Sequence, residues 1–169
     1  LMKLNKNIIL VGMMGAGKTT IGSLLAKKLN LSFFDIDRII EKKSGMKIYE
    51  IFKKSGEIEF RKLEKKITLK FLNKTGVVSL GGGAFINEDI GKEVKKKGIS
   101  IWLRWSQKTL IQRIRKNKKR PIALNLNDNE LKDLIISRSK VYSKVDYKID
   151  CEDMSKTQIV DKIVKIINI

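Results

Sequence analysis

A glycine-rich segment near the N-terminus carries the clearest chemical signal in the sequence. Residues 12–19 read Gly-Met-Met-Gly-Ala-Gly-Lys-Thr and match G-x-x-x-x-G-K-[ST] at every fixed position. In this pattern the glycines turn backbone N–H groups toward phosphate oxygens, Lys18 reaches the β- and γ-phosphates, and the Thr19 hydroxyl can ligate Mg²⁺. A hydrophobic run at residues 8–11 precedes the loop and a helical pattern follows it. The segment therefore predicts binding of a nucleoside triphosphate.

Two acids, Asp35 and Asp37, come at the end of a predicted second strand over residues 32–35. Alternation along an extended chain would place both carboxylates on one side, at the sheet edge where ligands of open parallel sheets bind. One acid could then hold metal-bound water while the other accepts a hydroxyl proton. As an alternative that does not exclude this role, Asp37 could cap a helix beginning at residue 38.

A glycine triplet and a set of arginines could complete a binding site. Residues 81–83 are all glycine, which suits either a flexible turn or a place where a ligand touches the main chain. Ser79 precedes them, and its hydroxyl could reach a magnesium-bound water. Arginine binds carboxylate or phosphate through a planar fork that lysine lacks. Four arginines stand out in a chain whose positive charge is mostly lysine: Arg61, Arg113, Arg120 and Arg138.

The elements that must position these residues alternate between strand and helix. Hydrophobic runs predict strands at residues 8–11, 32–35, 77–80, 99–103 and 147–151. Helical spacing and capping residues predict helices at residues 21–29, 48–52, 58–71, 87–94, 106–114, 131–142 and 155–167. A polar, basic stretch at residues 116–129 is typical of a functional loop or lid. We therefore expect one α/β domain, with a mostly parallel five-stranded sheet and helices on both faces.

Composition narrows the chemistry further. The chain of 169 residues has no histidine and one cysteine, which excludes zinc sites, Cys–His nucleophiles, Ser-His-Asp triads and an intrachain disulfide. No apolar run approaches the ~20 residues of a membrane span, and we expect no signal peptide. The net charge of +19 raises nucleic-acid binding as an alternative. The lysines are scattered over nearly every predicted helix, a pattern that a coding bias toward Lys, Ile and Asn could also produce. Attraction of a polyanionic small molecule such as ATP is favoured over nucleic-acid binding.

Taken in order, these motifs resemble those of the shikimate kinase family over nearly the whole chain. They are residues 12–19, Phe34-Asp35-Ile36-Asp37, Glu59-Phe60-Arg61, Ser79-Leu80-Gly81-Gly82-Gly83, Arg120-Pro121 and the segment from Arg138 to Tyr142. The resemblance implies a P-loop kinase fold like that of the nucleoside monophosphate kinases, in one domain over residues 1–169. It also implies a substrate-binding region at about residues 35–64 and a mobile lid at about residues 116–127.

The activity implied by this resemblance is transfer of the γ-phosphoryl group of ATP to the 3-hydroxyl of shikimate. The products would be ADP and 3-phosphoshikimate, on the route to chorismate and the aromatic amino acids. A related small-molecule kinase, such as one for gluconate, is the alternative. The resemblance further implies Mg²⁺ as cofactor and a monomeric, cytoplasmic enzyme without nucleic-acid or membrane partners.

The resemblance also implies which residues bind the acceptor. Asp37 would bind the ring hydroxyls and accept the proton. Arg61 and Arg138 would hold the substrate carboxylate, and the Gly82 N–H would contact the substrate. Apolar walls would come from Phe52 and Phe60. Residues 138–142 lack the proline that the family commonly has there.

For the nucleotide, the resemblance implies contacts in and beyond the glycine loop. These are Gly12, Gly15, Ala16, Gly17, Lys18, Thr19, Thr20, Arg113 and Arg120. Lys18 and Arg120 would join Asp37 as catalytic residues by neutralising charge on the transferring group, and Arg113 would stack on adenine. Thr19 would bind Mg²⁺ directly, and Asp35 and Ser79 would do so through water. Residues 152–154 lack the proline that often closes the family's adenine pocket.

Overall fold

A five-stranded parallel sheet forms the centre of the protein in the computed structural model, which describes residues 6–117, 123 and 125–167. The strand order is β2-β3-β1-β4-β5, and every pairing is parallel. The strands are β1 (Asn7–Val11), β2 (Phe33–Asp35), β3 (Val77–Ser79), β4 (Gly98–Arg104) and β5 (Tyr147–Asp150). The predicted α/β fold is therefore confirmed, and the sheet is parallel throughout.

Strand β1 lies at the centre because its side chains are apolar on both faces. Ile8, Ile9 and Leu10 are completely buried, as a parallel strand covered on both faces requires. The register pairs Leu10 with Ser79, and Ser79 in turn with Asp35. The carboxyl ends of the three strands thus meet at one edge of the sheet, directly beside the glycine loop.

Seven α-helices connect and cover these strands in the described part of the chain. They are α1 (Lys18–Leu29), α2 (Ile36–Ser44), α3 (Ile48–Leu72), α4 (Glu88–Lys97), α5 (Gln107–Lys116), α6 (Asp128–Tyr142) and α7 (Lys156–Ile167). Helix α1 packs against β3 and α7, whereas α4 packs against β4 and α3. A short 3₁₀ turn at Ala84–Ile86 links β3 to α4.

Three predicted helix starts are confirmed by their capping bonds. The Asn87 side chain accepts hydrogen bonds from the N–H groups of Asp89 and Ile90 at the start of α4. Ser106 accepts from Thr109 N–H before α5. At the start of α7, Ser155 and Gln158 bond reciprocally at 2.8 and 3.2 Å, which completes the predicted capping box.

The second and third helices differ from the sequence expectation. Helix α2 follows β2 without a loop, so residues 36 and 37 are helical rather than extended. The two helices predicted at residues 48–52 and 58–71 form one element, α3, with a kink at Gly56. Gly56 has φ 79° and ψ 171°, a conformation that side chains rarely adopt. Gly98 ends α4 as predicted, but in an extended conformation that already begins β4.

Half of the predicted lid at about residues 116–127, namely residues 118–122 and 124, lies outside the described residues. Helix α5 ends at Lys116, and Asn127 caps α6 through a bond from Glu130 N–H. Glu130 also accepts from the Asn127 N–H at 2.7 Å, so a capping box starts α6 three residues before the predicted helix. Within the described residues, no helix is both long and apolar enough to span a membrane.

Candidate active site

The glycine loop forms a tight turn between β1 and α1. Gly15 and Gly17 have φ values of 83° and 85°, which only glycine adopts without strain. The N–H of Ala16 donates to the Met13 carbonyl at 3.1 Å and closes the turn. Gly17 is the N-cap of α1 and supplies no side-chain oxygen, so no side-chain cap covers the first N–H groups of the helix. Such N–H groups and the helix dipole favour a bound anion.

Lys18 is buried at the start of α1, and its amino group stays within this loop. The Nζ atom donates to the carbonyls of Gly12 at 2.7 Å and Met13 at 3.1 Å. The positive charge is therefore held beside the backbone turn that we expect to bind phosphates. Thr20, the last predicted contact in this segment, is an exposed residue of α1.

A set of three oxygen-bearing side chains lies at the adjacent strand ends. The Thr19 hydroxyl donates to Asp35 Oδ2 at 2.6 Å, and the Ser79 backbone is the register partner of Asp35. Asp35 and Ser79 are both buried. One carboxylate and two hydroxyls are hard oxygen ligands, and Mg²⁺ is commonly bound by one or two carboxylates together with phosphates and water. The described residues contain no cluster of three or more metal-binding acidic, histidine or cysteine side chains.

Asp37 reaches the site from a helix, and the strand-alternation argument for its position is wrong. Asp35 is the N-cap of α2, since its Oδ1 accepts the Arg38 N–H at 3.2 Å. The helix consequently begins at Ile36 and places Asp37 in its first turn. The alternative cap by Asp37 is likewise not observed, because Asp35 fills that position.

Charged side chains occupy the space that a side chain on the glycine triplet would need. A Cβ atom on Gly81 would come within 2.6 Å of Glu64 Oε1 and 2.7 Å of Asp37 Oδ1. A Cβ on Gly83 would meet both terminal nitrogens of Arg61 at 2.6 Å. These contacts are far closer than real Cβ atoms make. The triplet is therefore a surface against which charged side chains pack.

Arg61 lies between two carboxylates of α3. Its Nη1 donates to Glu64 Oε2 at 2.7 Å, and its Nη2 donates to Glu57 Oε1 at 3.2 Å. Burial disfavours the charged form, but the two carboxylates outweigh it and raise the pKa of Arg61. Burial also raises the pKa of Glu64, and Asp37 adds to this, against the opposing effect of Arg61 and Arg138. The four side chains Asp37, Arg61, Glu64 and Arg138, which we call the acceptor cluster, are thus electrostatically coupled.

Arg138 extends into this cluster from α6 and is only 7% exposed. Its Nη1 donates to the Met13 sulfur at 3.6 Å, a weak acceptor. Its Nε has no hydrogen-bond partner among the described residues, although the side chain also hydrogen-bonds that of Tyr142. One turn later, the Tyr142 hydroxyl donates to the Gly82 carbonyl. Burial raises the pKa of Tyr142 to about 12, so the hydroxyl stays a donor and ties α6 to the glycine triplet.

Two phenylalanines form an apolar wall beside Arg61. The rings of Phe52 and Phe60 lie 4.5 Å apart between centroids. The Arg61 guanidinium carbon is 5.2 Å from the Phe60 centroid and 6.0 Å from that of Phe52. The structure thus brings together Asp37, Arg61, Gly82, Arg138 and both phenylalanines, all of which the sequence had singled out.

Arg113 contacts the glycine loop from helix α5. Its Nη1 donates to the Gly15 carbonyl at 3.3 Å, and its guanidinium carbon is 3.7 Å from the Trp105 ring centroid. The last predicted site residue, Arg120, lies outside the described residues.

Sequence reasoning missed two side chains of the site. Glu64 is three residues after Arg61 on a predicted helix, and this spacing is the signal that could have revealed the ion pair. Trp105 follows β4 immediately. Its indole N–H is a donor that usually finds an acceptor when buried, and this could have suggested a contact with the glycine loop. Its indole N–H donates to the Ala16 carbonyl at 2.9 Å.

Comparison with known proteins assigns nearly the whole chain to one family model, that of shikimate kinase, over residues 14–168. The shikimate kinase of Persephonella marina is 43% identical over 159 residues, or 94% of this chain and 96% of that protein. A solved structure of shikimate kinase from Acinetobacter baumannii in complex with shikimate has a TM-score of 0.92 at 34% identity, covering 98% of this chain and 94% of that one. A gluconokinase from Sinorhizobium meliloti, at 13% identity and a TM-score of 0.61 over 97% of this chain and 92% of that one, shares the fold.

Proposed function

The chain belongs to the shikimate kinase family, and from this membership we propose how its own residues phosphorylate shikimate. The enzyme is a phosphotransferase that uses ATP and shikimate. We assign the 3-hydroxyl as the acceptor and 3-phosphoshikimate as the product. One observation supports this assignment above the others. Two guanidinium groups and the carboxylate of Asp37 converge on Gly81–Gly83, which packs against the glycine loop.

The contact between these two parts brings donor and acceptor together. A Cβ atom on Gly82 would lie 3.4 Å from the Met14 nitrogen and 3.3 Å from Arg138 Nη1. A phosphate on the loop and an acceptor on the triplet would therefore be near neighbours. Phosphoryl transfer asks mainly for such positioning and for stabilisation of charge.

On the nucleotide side, the loop N–H groups and Lys18 bind the phosphates in our proposal. The residues over 12–20 named above supply these contacts, and Arg113 stacks on the adenine. Arg120 neutralises charge on the transferring phosphoryl group, as does Lys18. A bound Mg²⁺ would supply positive charge that neutralises the charge of the phosphates. Thr19 would hold it directly, with Asp35 and Ser79 acting through water.

On the acceptor side, the carboxylate of shikimate pairs with Arg61 and Arg138. Arg138 suits this role because it is a buried cation whose Nε has no hydrogen-bond partner among the described residues and whose Nη1 meets only a weak sulfur acceptor in Met13, although its side chain also hydrogen-bonds that of Tyr142. A buried charge in that position is stabilised by an anion that offers two oxygens. The Gly82 N–H contacts the substrate, and Phe52 and Phe60 bound the ring.

Asp37 is the group that receives the hydroxyl proton. It sits in the first turn of α2, and its Oδ1 lies against the backbone of Gly81. A hydroxyl placed between Asp37 and the loop-bound γ-phosphate would donate its proton to the carboxylate as its oxygen attacks the γ-phosphorus, while the bond from that phosphorus to the β–γ bridging oxygen breaks and ADP leaves. General base catalysis of this kind contributes typically 10²- to 10⁴-fold.

An acceptor competition tests the substrate. Purified enzyme with saturating ATP and Mg²⁺ is given shikimate, gluconate or no acceptor, and ADP release is measured. Phosphorus NMR of the product then locates the phosphoryl group. We expect ADP only with shikimate, and phosphate on its 3-oxygen; ADP release with gluconate alone would overturn the substrate assignment. Lys18→Met is the matched inactive control for contaminating kinases.

The remaining assignments concern the state of the enzyme. We propose a monomeric, cytoplasmic protein of one domain, with a lid at about residues 116–127 and no nucleic-acid or membrane partner. Filter binding to duplex DNA at physiological salt tests the nucleic-acid alternative raised by the charge of +19. Tight and steeply salt-dependent binding would contradict the proposal.

A further inference from the structure

Trp105 and Arg113 form a stacked pair at the nucleotide end of the site. The guanidinium carbon of Arg113 lies 3.7 Å from the centroid of the Trp105 ring. That separation is van der Waals contact over the ring face, where a cation interacts best with tryptophan. Both side chains are only partly buried, so the pair lies at the rim of the site rather than in the core.

Each member of the pair is also hydrogen-bonded to the glycine loop. The Trp105 indole N–H donates to the Ala16 carbonyl at 2.9 Å, and Arg113 Nη1 donates to the Gly15 carbonyl at 3.3 Å. Two consecutive carbonyls of the loop thus fix the orientation of the stacked pair. The pair consequently has a set position relative to any phosphate bound by the same loop.

Residues that follow the neighbouring strand β5 hold the backbone around Trp105 in place. Arg104 accepts the Cys151 N–H at 2.9 Å, and the next residue after Trp105, Ser106, donates its N–H to Glu152 Oε2 at 3.0 Å. Glu152 Oε1 also accepts from the Thr109 hydroxyl. The residues before and after Trp105 are therefore both hydrogen-bonded, which fixes the position of Trp105. The same bonds fix the start of α5, the helix that carries Arg113.

We propose that Trp105 is a positioning residue for the nucleotide base. It covers one face of the Arg113 guanidinium and presents the opposite face to the adenine of ATP, giving a tryptophan–arginine–adenine stack. Arginine is a flexible side chain that loses rotamer freedom when it binds. Stacking on Trp105 restricts Arg113 before ATP arrives, so less freedom is lost on binding. This inference rests on the proposed function, which places ATP phosphates in the loop.

The test compares a ligand that has a base with one that has none. ATP and inorganic tripolyphosphate are titrated calorimetrically into the wild type, Trp105→Leu and Trp105→Phe, with kinetics for ATP and shikimate in parallel. We expect Trp105→Leu to weaken ATP binding about tenfold. Its affinity for tripolyphosphate and its KM for shikimate should not change. Trp105→Phe keeps a stacking face but loses the indole N–H, and it should recover most of the ATP affinity.

A double-mutant cycle identifies the route of the effect. If Trp105 acts through Arg113, then Trp105→Leu should weaken ATP binding far less in an Arg113→Ala background. Equal loss of ATP and tripolyphosphate affinity would overturn the inference, because Trp105 would then only support the loop. Unchanged ATP binding in a Trp105→Leu variant that melts normally would also overturn it. A wild-type protein that bound no ATP would overturn the proposed function as well.

Discussion

The nucleotide side and the acceptor side of the site are built from different parts of the polypeptide. The nucleotide side is mostly main chain from one continuous segment, residues 12–19, shaped by glycines with positive φ. The acceptor side is made of side chains from α2, α3 and α6 that meet at Gly81–Gly83. In the proposed function, a local backbone conformation would thus recognise phosphate, whereas the tertiary fold would recognise the acceptor.

The two sides also differ in their charge. Lys18 and the N–H groups of the loop present positive charge alone to an anion. The acceptor cluster contains two carboxylates and two guanidinium groups. Glu64 is only 2% exposed and forms an ion pair with Arg61 at 2.7 Å. Because the proposed acceptor site balances opposite charges at short range, we expect small displacements there to matter more than changes of similar size near the loop.

Replacing Asp37 tests the largest expected difference between the two sides. Asp37→Asn keeps the shape of the side chain but removes the proposed proton acceptor. We expect kcat to fall about 10²- to 10⁴-fold, with little change in the affinity for ATP, measured by steady-state kinetics and calorimetry. Near-normal turnover would show that Asp37 is not the base.

Adding one methyl group to the glycine triplet tests its dependence on geometry. In Gly81→Ala the new Cβ would displace Asp37 and Glu64, whose oxygens lie within 2.7 Å of it. We expect kcat/KM for shikimate to fall about 10²-fold, with the KM for ATP nearly unchanged. Gly91→Ala in α4 is the matched control, because its Cβ would meet nothing within 4 Å. Equal activity of the two variants would contradict the crowded packing around the triplet.

Removing one guanidinium group tests the proposed carboxylate pair. Arg61→Ala should raise the KM for shikimate by about tenfold, since a charged hydrogen bond contributes roughly 1.5–3 kcal/mol. Arg38→Ala is the control, because Arg38 is 73% exposed and its nearest carboxylate contact is 3.9 Å long. An unchanged KM in Arg61→Ala would remove this residue from the substrate site.

The smallest expected effect is on the free energy of unfolding, because ionisation of the buried Glu64 carboxyl group destabilises the fold. Its pKa is raised above 4.5 in the folded state, chiefly by burial. The fold therefore favours the protonated form, and the wild type should lose stability as the pH rises from below 4.5 through the folded pKa. Glu64→Gln cannot ionise and should avoid this loss.

Thermal melts at several pH values measure this effect. The Tm of Glu64→Gln relative to the wild type should increase between pH 4 and pH 7. Glu59→Gln is the control, since Glu59 is exposed on the same helix and pairs with Lys62. A difference between Glu64→Gln and the wild type that does not vary with pH would contradict the raised pKa of Glu64.

The difference between local backbone structure and tertiary contacts also explains which features could be predicted from the sequence. The glycine loop and the caps at Asn87 and Ser106 depend on neighbours within three residues, and local patterns indicated them correctly. Asp37 lies beside Gly81 near the expected edge of the sheet, but the reasoning that placed it there was wrong. Alternation assumes a strand, but Asp35 caps a helix that begins one residue later.

Local sequence patterns could not predict contacts between segments that are far apart in the chain. Arg138 was singled out as an arginine, yet its burial against Met13 joins residues 125 positions apart. The contact of the Tyr142 hydroxyl with Gly82 likewise depends on how α6 packs. The glycine triplet suggested a ligand approach or a flexible turn, and only the folded structure gives the crowding by Asp37, Glu64 and Arg61.

Asp35 connects the two sides through its separate oxygens. Oδ2 accepts the Thr19 hydroxyl, and Oδ1 accepts the Arg38 N–H at the start of α2. Thr19 could thus exchange its partner for a cation while the bond to Arg38 stays intact. In the proposed mechanism, the phosphate end could therefore rearrange while Asp35 continues to cap the helix that carries Asp37.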